Sequence, residues 1–289
     1  MIRYALPDLT GHLPCNLAFA KLQRTAPELF FDDVSISSIY GNFPGCIMNG
    51  GRLCSGNPYT YDQIMDVMDR ITAEGLTLRL TFTNMLLRPE HFDNQYSNMI
   101  LKAAKEHNAQ IIVNSDELAD YITDHYHLGL ILSTTRALSG VEELNNMLDR
   151  YDMVVLDYNH NKDDAFLKQV KDPSRLEVMP NELCELGCPN RQFHYEHLSR
   201  CQLNGEPLPF TCPQTRETSG FTTRTKSSPT LLGNEDIRHL NSSYGISHFK
   251  IVGRVESWTT TMESLLYYLI RPQYRSVVYK AIKKDVFGK

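Results

Sequence analysis

From about residue 33 the chain alternates between short apolar, β-branched runs and longer amphipathic stretches. VSISSIYG reads as a strand, and YTYDQIMDVMDRITAEG reads as a helix that stops at Gly75. LTLRLTFTN, AQIIVNSDE, LGLILSTT and YDMVVLDYN are the next four strands in this pattern. Between them, NQYSNMILKAAKEHN places Ile100, Leu101 and Ala104 on one helical face, and DELADYITDHY and GVEELNNMLDRY repeat the spacing. The helix DDAFLKQV precedes a shorter strand, RLEVMP, and HFKIVG is a late strand ahead of a C-terminal helix. Strands alternating with helices, with the strands buried on both faces, predict a parallel α/β sheet. The count and length predict a (β/α)8 TIM-like barrel forming one domain over residues 1–289, since such barrels take roughly 250 residues. A doubly wound open sheet is the alternative.

One segment breaks the pattern. Residues 203–232 carry no period, and NGEPLPFTCPQTRETSGFTTRTKSSPT is rich in Pro, Ser, Thr and Gly. It reads as an irregular loop where a seventh strand would be expected, and loops of this length in compact domains tend to be functional.

Composition narrows the class. Of the 289 residues 42% are hydrophobic and 22% charged, as in ordinary globular proteins, and a core of this size needs no disulfide staples. The net charge of -5 gives no reason to expect nucleic acid as a partner. TRETSGFTTRTK is locally basic, but its Arg216, Arg224 and Lys226 read as solvated. No apolar run reaches the roughly 18 residues that span a bilayer, and MIRYALPDLTGHLPCNLAFA lacks the plan of a signal peptide, which predicts a cytoplasmic protein. Seven cysteines are then expected as thiols or metal ligands rather than disulfides. Leu265, Leu266, Tyr267 and Leu269 belong either to the core or to an oligomer interface.

Barrel active sites form at the C-terminal ends of the strands. Those ends carry Tyr40 and Asn42, Thr83 and Asn84, Asn114, Ser133 and Thr134, then Asp157, Asn159 and Asn161. Asn181, Glu182 and Cys184 follow the next strand, and Arg254 and Glu256 follow the last. Such a ring of amides, hydroxyls and a few carboxylates suits a small polar substrate. The plainer alternative is that loops begin where strands end, with Asp and Asn capping the next helix. The glycine-dense GNFPGCIMNGGR has neither P-loop nor dinucleotide-binding spacing. It is either a structural turn or a backbone cradle for an anion, with Arg52 placed to meet a carboxylate or phosphate.

NELCELGCPNRQFHY begins a cysteine series, Cys184, Cys188, Cys201 and Cys212, spaced C-x3-C-x12-C-x10-C. Four soft thiolates suit zinc or an iron–sulfur cluster and would anchor the irregular loop. The spacing matches neither zinc ribbons nor bacterial ferredoxins. The structural alternative puts Cys184 and Cys188 in a turn before a helix and Cys201 as a buried apolar residue on it, with His194 and His197 at the surface or on a carbonyl.

GISHFKIVGRVES, with SPTLLGNEDIRHL before it and Tyr267, Tyr268, Tyr274 and Arg275 after it, resembles the C-terminal signature of the collagenase-like peptidase family, peptidase family U 32. Val252 stands where that family usually has glutamate, and the family's Arg-Gly-x-Cys arrangement is not present. The resemblance implies a (β/α)8-like barrel and a 4Fe-4S cluster on Cys184, Cys188, Cys201 and Cys212. It also implies either oxygen-independent hydroxylation or peptidase activity, and gives the signature arginine at Arg254.

The leading expectation is therefore an iron–sulfur barrel enzyme acting on a small polar or anionic substrate. Asp157, Glu182 and His194 would do acid–base work, because carboxylates and imidazole can be tuned toward neutral pH in a cleft. Asn42, Arg52, Asn84, Asn114, Ser133, Asn159, Asn181 and Arg254 would bind substrate. The alternatives are a peptidase-type hydrolase using Cys184 and His194, for which no G-x-S-x-G or H-E-x-x-H motif is present, and a non-catalytic barrel held by zinc.

Overall fold

The computed structural model describes residues 1–54, 56–182, 184–205, 221, 228–253 and 258–288. Eight parallel strands close into a barrel in chain order: β1 (Ile2–Pro7), β2 (Val34–Gly41), β3 (Thr77–Phe82), β4 (Gln110–Val113), β5 (Gly129–Leu132), β6 (Met153–Val155), β7 (Leu176–Val178) and β8 (His248–Lys250). This is the (β/α)8 barrel, and closure of β8 onto β1 rules out the open doubly wound sheet. The outer helices include α1 (Leu13–Thr25), α2 (Tyr61–Ala73), α3 (Gln95–Glu106), α4 (Asp116–Tyr126), α5 (Val141–Arg150) and α6 (Asp164–Leu167). They continue with α7 (Arg191–Asn204), α8 (Asn234–Tyr244), α9 (Trp258–Leu269) and α10 (Arg275–Phe287).

The strand missing from the sequence pattern lies at the other end of the chain from where it was expected. IRYALP is β1, paired to β2 on one side and to β8 on the other. Among the described residues no strand lies between β7 and β8. The strand escaped the reading because it carries Arg3 and ends in Pro7. Pro7 is the last residue of the strand, in register with Tyr40 of β2 and beyond the pairing with β8, which ends at Ala5.

Helix starts follow local chemistry. Thr60 and Gln63 form a reciprocal capping box on α2, and Asn94 and Ser115 accept from backbone N–H groups at the starts of α3 and α4.

The period of two along each strand separates two cores. In TLRLTF, Leu78, Leu80 and Phe82 face the helices and join the large outer core. Ile2, Tyr4 and Leu6 of β1 and Phe249 of β8 do the same. The opposite face looks into the barrel, where Ala5, Tyr40, Ile112, Ile131, Met153 and Val155 pack together with Met179 and Val252.

The barrel interior also encloses charge. Arg79 of β3 forms a close ion pair with Glu177 of β7, and Lys250 of β8 stands 3.9 Å from the other Glu177 carboxylate oxygen. Glu177 is 0% exposed, Arg79 4% and Lys250 7%. Arg79 also donates to Gln110, and the Lys250 ammonium lies 4.3 Å from the centre of the Tyr40 ring. Burial, followed by the nearby Arg79 and Arg3, holds His248 below the ordinary histidine range against the pull of Glu177.

Glu177→Leu would leave two buried cations facing each other and is expected to cost about 3–5 kcal/mol in urea unfolding. Arg79→Met should cost less, because Lys250 still faces the carboxylate. The reverse order would show that this charge arrangement does not stabilise the barrel.

Candidate functional site

The C-terminal ends of the strands surround a cavity of about 500 Å³, its open mouth included. Lys250 and Tyr40 lie at its floor. Thr81, Thr83, Ser133, Thr134 and Thr135 supply hydroxyl walls, and Arg52, Glu182 and Tyr195 stand at the rim with Gly51. Ile112, Met179 and Val252 are the apolar lining.

The loop after β2 reaches this rim through a close backbone approach. A Cβ added to Gly50 would lie 2.4 Å from the Thr83 carbonyl oxygen, so a side chain there would push the loop off the end of β3. Gly51 follows with φ +73°, in the left-handed region that suits glycine. Asn49 fixes the turn: its amide donates to the Arg52 carbonyl at 2.8 Å and its side-chain oxygen accepts from Thr81 at 2.8 Å. Gln202 of α7 accepts from the Cys54 N–H and donates to the Cys46 carbonyl. The glycines expected in a turn thus carry Arg52 to the cavity.

Arg52 comes within 3.9 Å of Glu182, beyond hydrogen-bond range. Burial works against its charge, but Glu182, with Tyr195 and Tyr40, holds its pKa above the usual arginine value. Glu182 is 4% exposed and accepts from the Cys184 N–H at 3.2 Å. Burial raises the Tyr195 phenol despite the neighbouring Arg191. Arg191 is itself held at both ends: one guanidinium nitrogen lies 3.1 and 3.2 Å from the Asp157 carboxylate oxygens, and the other donates to Thr134 at 2.9 Å. Its guanidinium lies 4.1 Å from the centre of the Tyr158 ring.

Of the residues singled out from sequence, Tyr40, Thr83, Ser133, Thr134 and Glu182 at the strand ends line the cavity, as does Arg52. Asp157 pairs with Arg191 and accepts from the Asn159 N–H, as a capping residue does. Asn42, Asn84 and Asn181 use their amides on backbone. Asn42 donates to the Thr81 carbonyl at 2.5 Å, and Asn84 donates to the Ile47 and Ser199 carbonyls. Asn181 forms a reciprocal pair with Val252 at 2.8 Å each way. Asn114 donates to the wall hydroxyl of Thr135, and Asn159 accepts from the Gly187 N–H. Arg254 and Glu256 lie outside the described residues.

Lys250, Tyr195, Thr81 and Thr83 belong to the site and were not singled out as substrate ligands. The threonines were visible as the polar phase of LTLRLTFTN, which also contains Arg79. Lys250 sat in the quoted HFKIVGR stretch, but nothing in the sequence shows that its side chain points into the barrel.

The cysteines separate. The Cys184 thiol is in hydrogen-bonding contact with Cys188 and Tyr158, and burial first, then Cys188, pushes it up to about 11. Cys201 is buried on α7 with its sulfur 3.5 Å from His197. Cys212 lies outside the described residues, and among the described residues no three His, Cys, Asp or Glu side chains gather as a metal site. The described thiols thus supply a pair, and by themselves they do not fit a four-thiolate cluster.

No family model and no curated protein matches the chain. The fold is similar to that of a U32 peptidase. That solved structure superposes with a TM-score of 0.57 at 15% identity, over 89% of this chain and 94% of the other. The likeness is one of fold. Two further solved structures superpose less well. A spore cortex-lytic enzyme of Bacillus cereus has a TM-score of 0.40 at 10% identity, over 92% of this chain and 74% of that one. A GH113 β-1,4-mannanase has a TM-score of 0.44 at 11% identity, over 97% and 98%.

His194 on α7 titrates below the ordinary histidine value because of burial, then Arg52 and His197, with Glu182 opposing. Its imidazole should therefore remain neutral in NMR titrations through the usual midpoint of about 6.5. Arg52→Met removes a repelling cation and should raise the midpoint. An unchanged midpoint would mean that Arg52 does not sit over this part of the rim.

Proposed function

We propose that the chain is a (β/α)8 enzyme that binds a small anionic, oxygen-rich substrate in the barrel mouth. The observation that carries this reading is the presence of Arg52 and Lys250 in one mostly buried cavity walled by hydroxyls. Two cationic side chains there face one lining carboxylate, Glu182. A low-dielectric cavity of that balance favours an anion, and Arg52 has the planar fork that meets a carboxylate. The wall threonines and Ser133 suit hydroxyl or carbonyl oxygens. Glu182 and Tyr195 are the rim groups that can exchange protons with the substrate. Asp157, held by Arg191, positions that arginine rather than acting on substrate.

Calorimetric titration with small hydroxy- and oxo-carboxylates and with inorganic phosphate tests the reading. At least one carboxylate is expected to bind, and Arg52→Met should weaken it about 10–100-fold, as loss of a hydrogen bond to a charged group does. Absence of binding across the panel, or full affinity in the variant, would remove the proposal.

An iron–sulfur or zinc centre is a second reading, supported by the contact between Cys184 and Cys188 beside the rim. Iron, sulfide and zinc analysis after anaerobic purification tests it. About four irons, lost in Cys184→Ser and in Cys212→Ser, would establish a cluster. Stoichiometric zinc would make the centre structural, and metal-free folded protein would leave the anion cavity alone.

A further inference from the structure

The floor of the cavity contains an arrangement that simple anion binding does not require. Lys250 is the amine among the residues lining the cavity, and it comes from a strand rather than a loop. The Tyr40 ring fixes it from one side at 4.3 Å, and the Tyr40 hydroxyl is anchored on the Ile251 carbonyl at 2.8 Å. On another side stands Glu177. One of its carboxylate oxygens is taken by Arg79. The other, Oε2, is buried without a hydrogen-bond partner and lies 3.9 Å from the Lys250 nitrogen. A buried carboxylate oxygen with no donor is costly. At 3.9 Å from the ammonium it lies beyond direct hydrogen-bond range, and a small rotation of either side chain brings the two together for proton transfer. Across the cavity, Arg52 stands at the rim as a carboxylate ligand, with Glu182 and Tyr195 beside it.

We propose that Lys250 is a covalent catalytic residue that condenses with the ketone of a small 2-oxo acid whose carboxylate is held by Arg52. The proposal deepens the anion-binding reading and rests on it. Glu177 Oε2 takes one proton from the ammonium. The freed nitrogen lone pair attacks the substrate's C2, the C–N bond forms, and the carbonyl electron pair moves onto oxygen. A proton passes from nitrogen to that oxygen. A second comes from the Tyr195 phenol at the rim, whose phenolate is left beside Arg191, and the oxygen departs as water while the nitrogen lone pair closes the C=N bond. One proton is stored on Glu177 and one is supplied at the rim, so the sum is ammonium plus ketone giving iminium plus water, with no oxidant or reductant. A desolvated lysine beside an acid–base group is the usual setting for such chemistry. The iminium then withdraws electrons from the bond next to C2, which suits proton abstraction or carbon–carbon bond cleavage at the neighbouring carbon.

The test is reductive trapping. The full-length protein is incubated with pyruvate or 2-oxobutyrate and sodium cyanoborohydride, which reduces an iminium to a stable secondary amine. The product is read by intact mass and by peptide mapping. A single adduct is expected on Lys250 with the other lysines scarcely labelled, and it should be absent in Lys250→Arg. Glu177→Gln should slow trapping by about 100-fold or more, the size of a general-base contribution. Mapping the adduct in the unmodified protein needs no variant, so a failure of either variant to fold leaves the test intact. Calorimetry of the same 2-oxo acids runs in parallel. Binding without preferential labelling of Lys250 would overturn the covalent step and leave the anion-binding reading standing. Absence of both would overturn the two together, and labelling spread evenly over surface lysines would also overturn the covalent step.

Discussion

The closed barrel encloses a carboxylate and two cations where water cannot solvate them, and much of the molecule is arranged around that constraint. Glu177 is tied to Arg79 across the lumen from β7 to β3, with Lys250 of β8 beside it. Leaving any one of them unpaired in a low-dielectric interior costs several kcal/mol. The three strands are therefore held in the phase that points these side chains inward and their apolar neighbours Leu78, Leu80, Val178 and Phe249 outward. The same charge balance acts on His248, whose protonation would add a further cation to a group already carrying two. Lys250 is positioned by this network, and the floor of the cavity is where that network ends.

Above this level the polar strand ends divide their work. Buried amides hold backbone: Asn181 joins the end of β7 to the end of β8, and Asn84 joins the loop after β2 to α7. These bonds satisfy main-chain groups where the ladders stop, which a buried loop junction requires. They also fix the loops that bear Arg52 and Glu182. The polar residues left to face the cavity are hydroxyls, a carboxylate, two phenols and two cations, the set on which the proposed anionic substrate rests.

The superposition on a U32 peptidase over nearly the whole of both chains is a likeness of fold. Barrels of one architecture support many chemistries, so function is argued from the site. Here Cys184 and Cys188 form a thiol pair next to the cavity, with the Cys184 N–H on Glu182, while Cys201 is buried separately against His197.

The chain's own pattern determined a good deal. The apolar runs and the helical faces between them define seven strands and the barrel class, because burial on both faces of a parallel sheet writes itself into consecutive residues. Arg52, Ser133 and Glu182 were legible as cavity residues, since strand ends carry the sites of such barrels. The sequence did not reveal IRYALP as the closing strand, because its partners lie at residues 34–40 and 248–250 and only closure gives it a place. Nor did it separate the amides that hold backbone from the groups that face the cavity, since both are polar residues after a strand. The tertiary structure alone decided that Lys250 faces Glu177 and lies in one cavity with Arg52. Those three residues are far apart in the chain, and what brings them together is the curvature of the closed sheet.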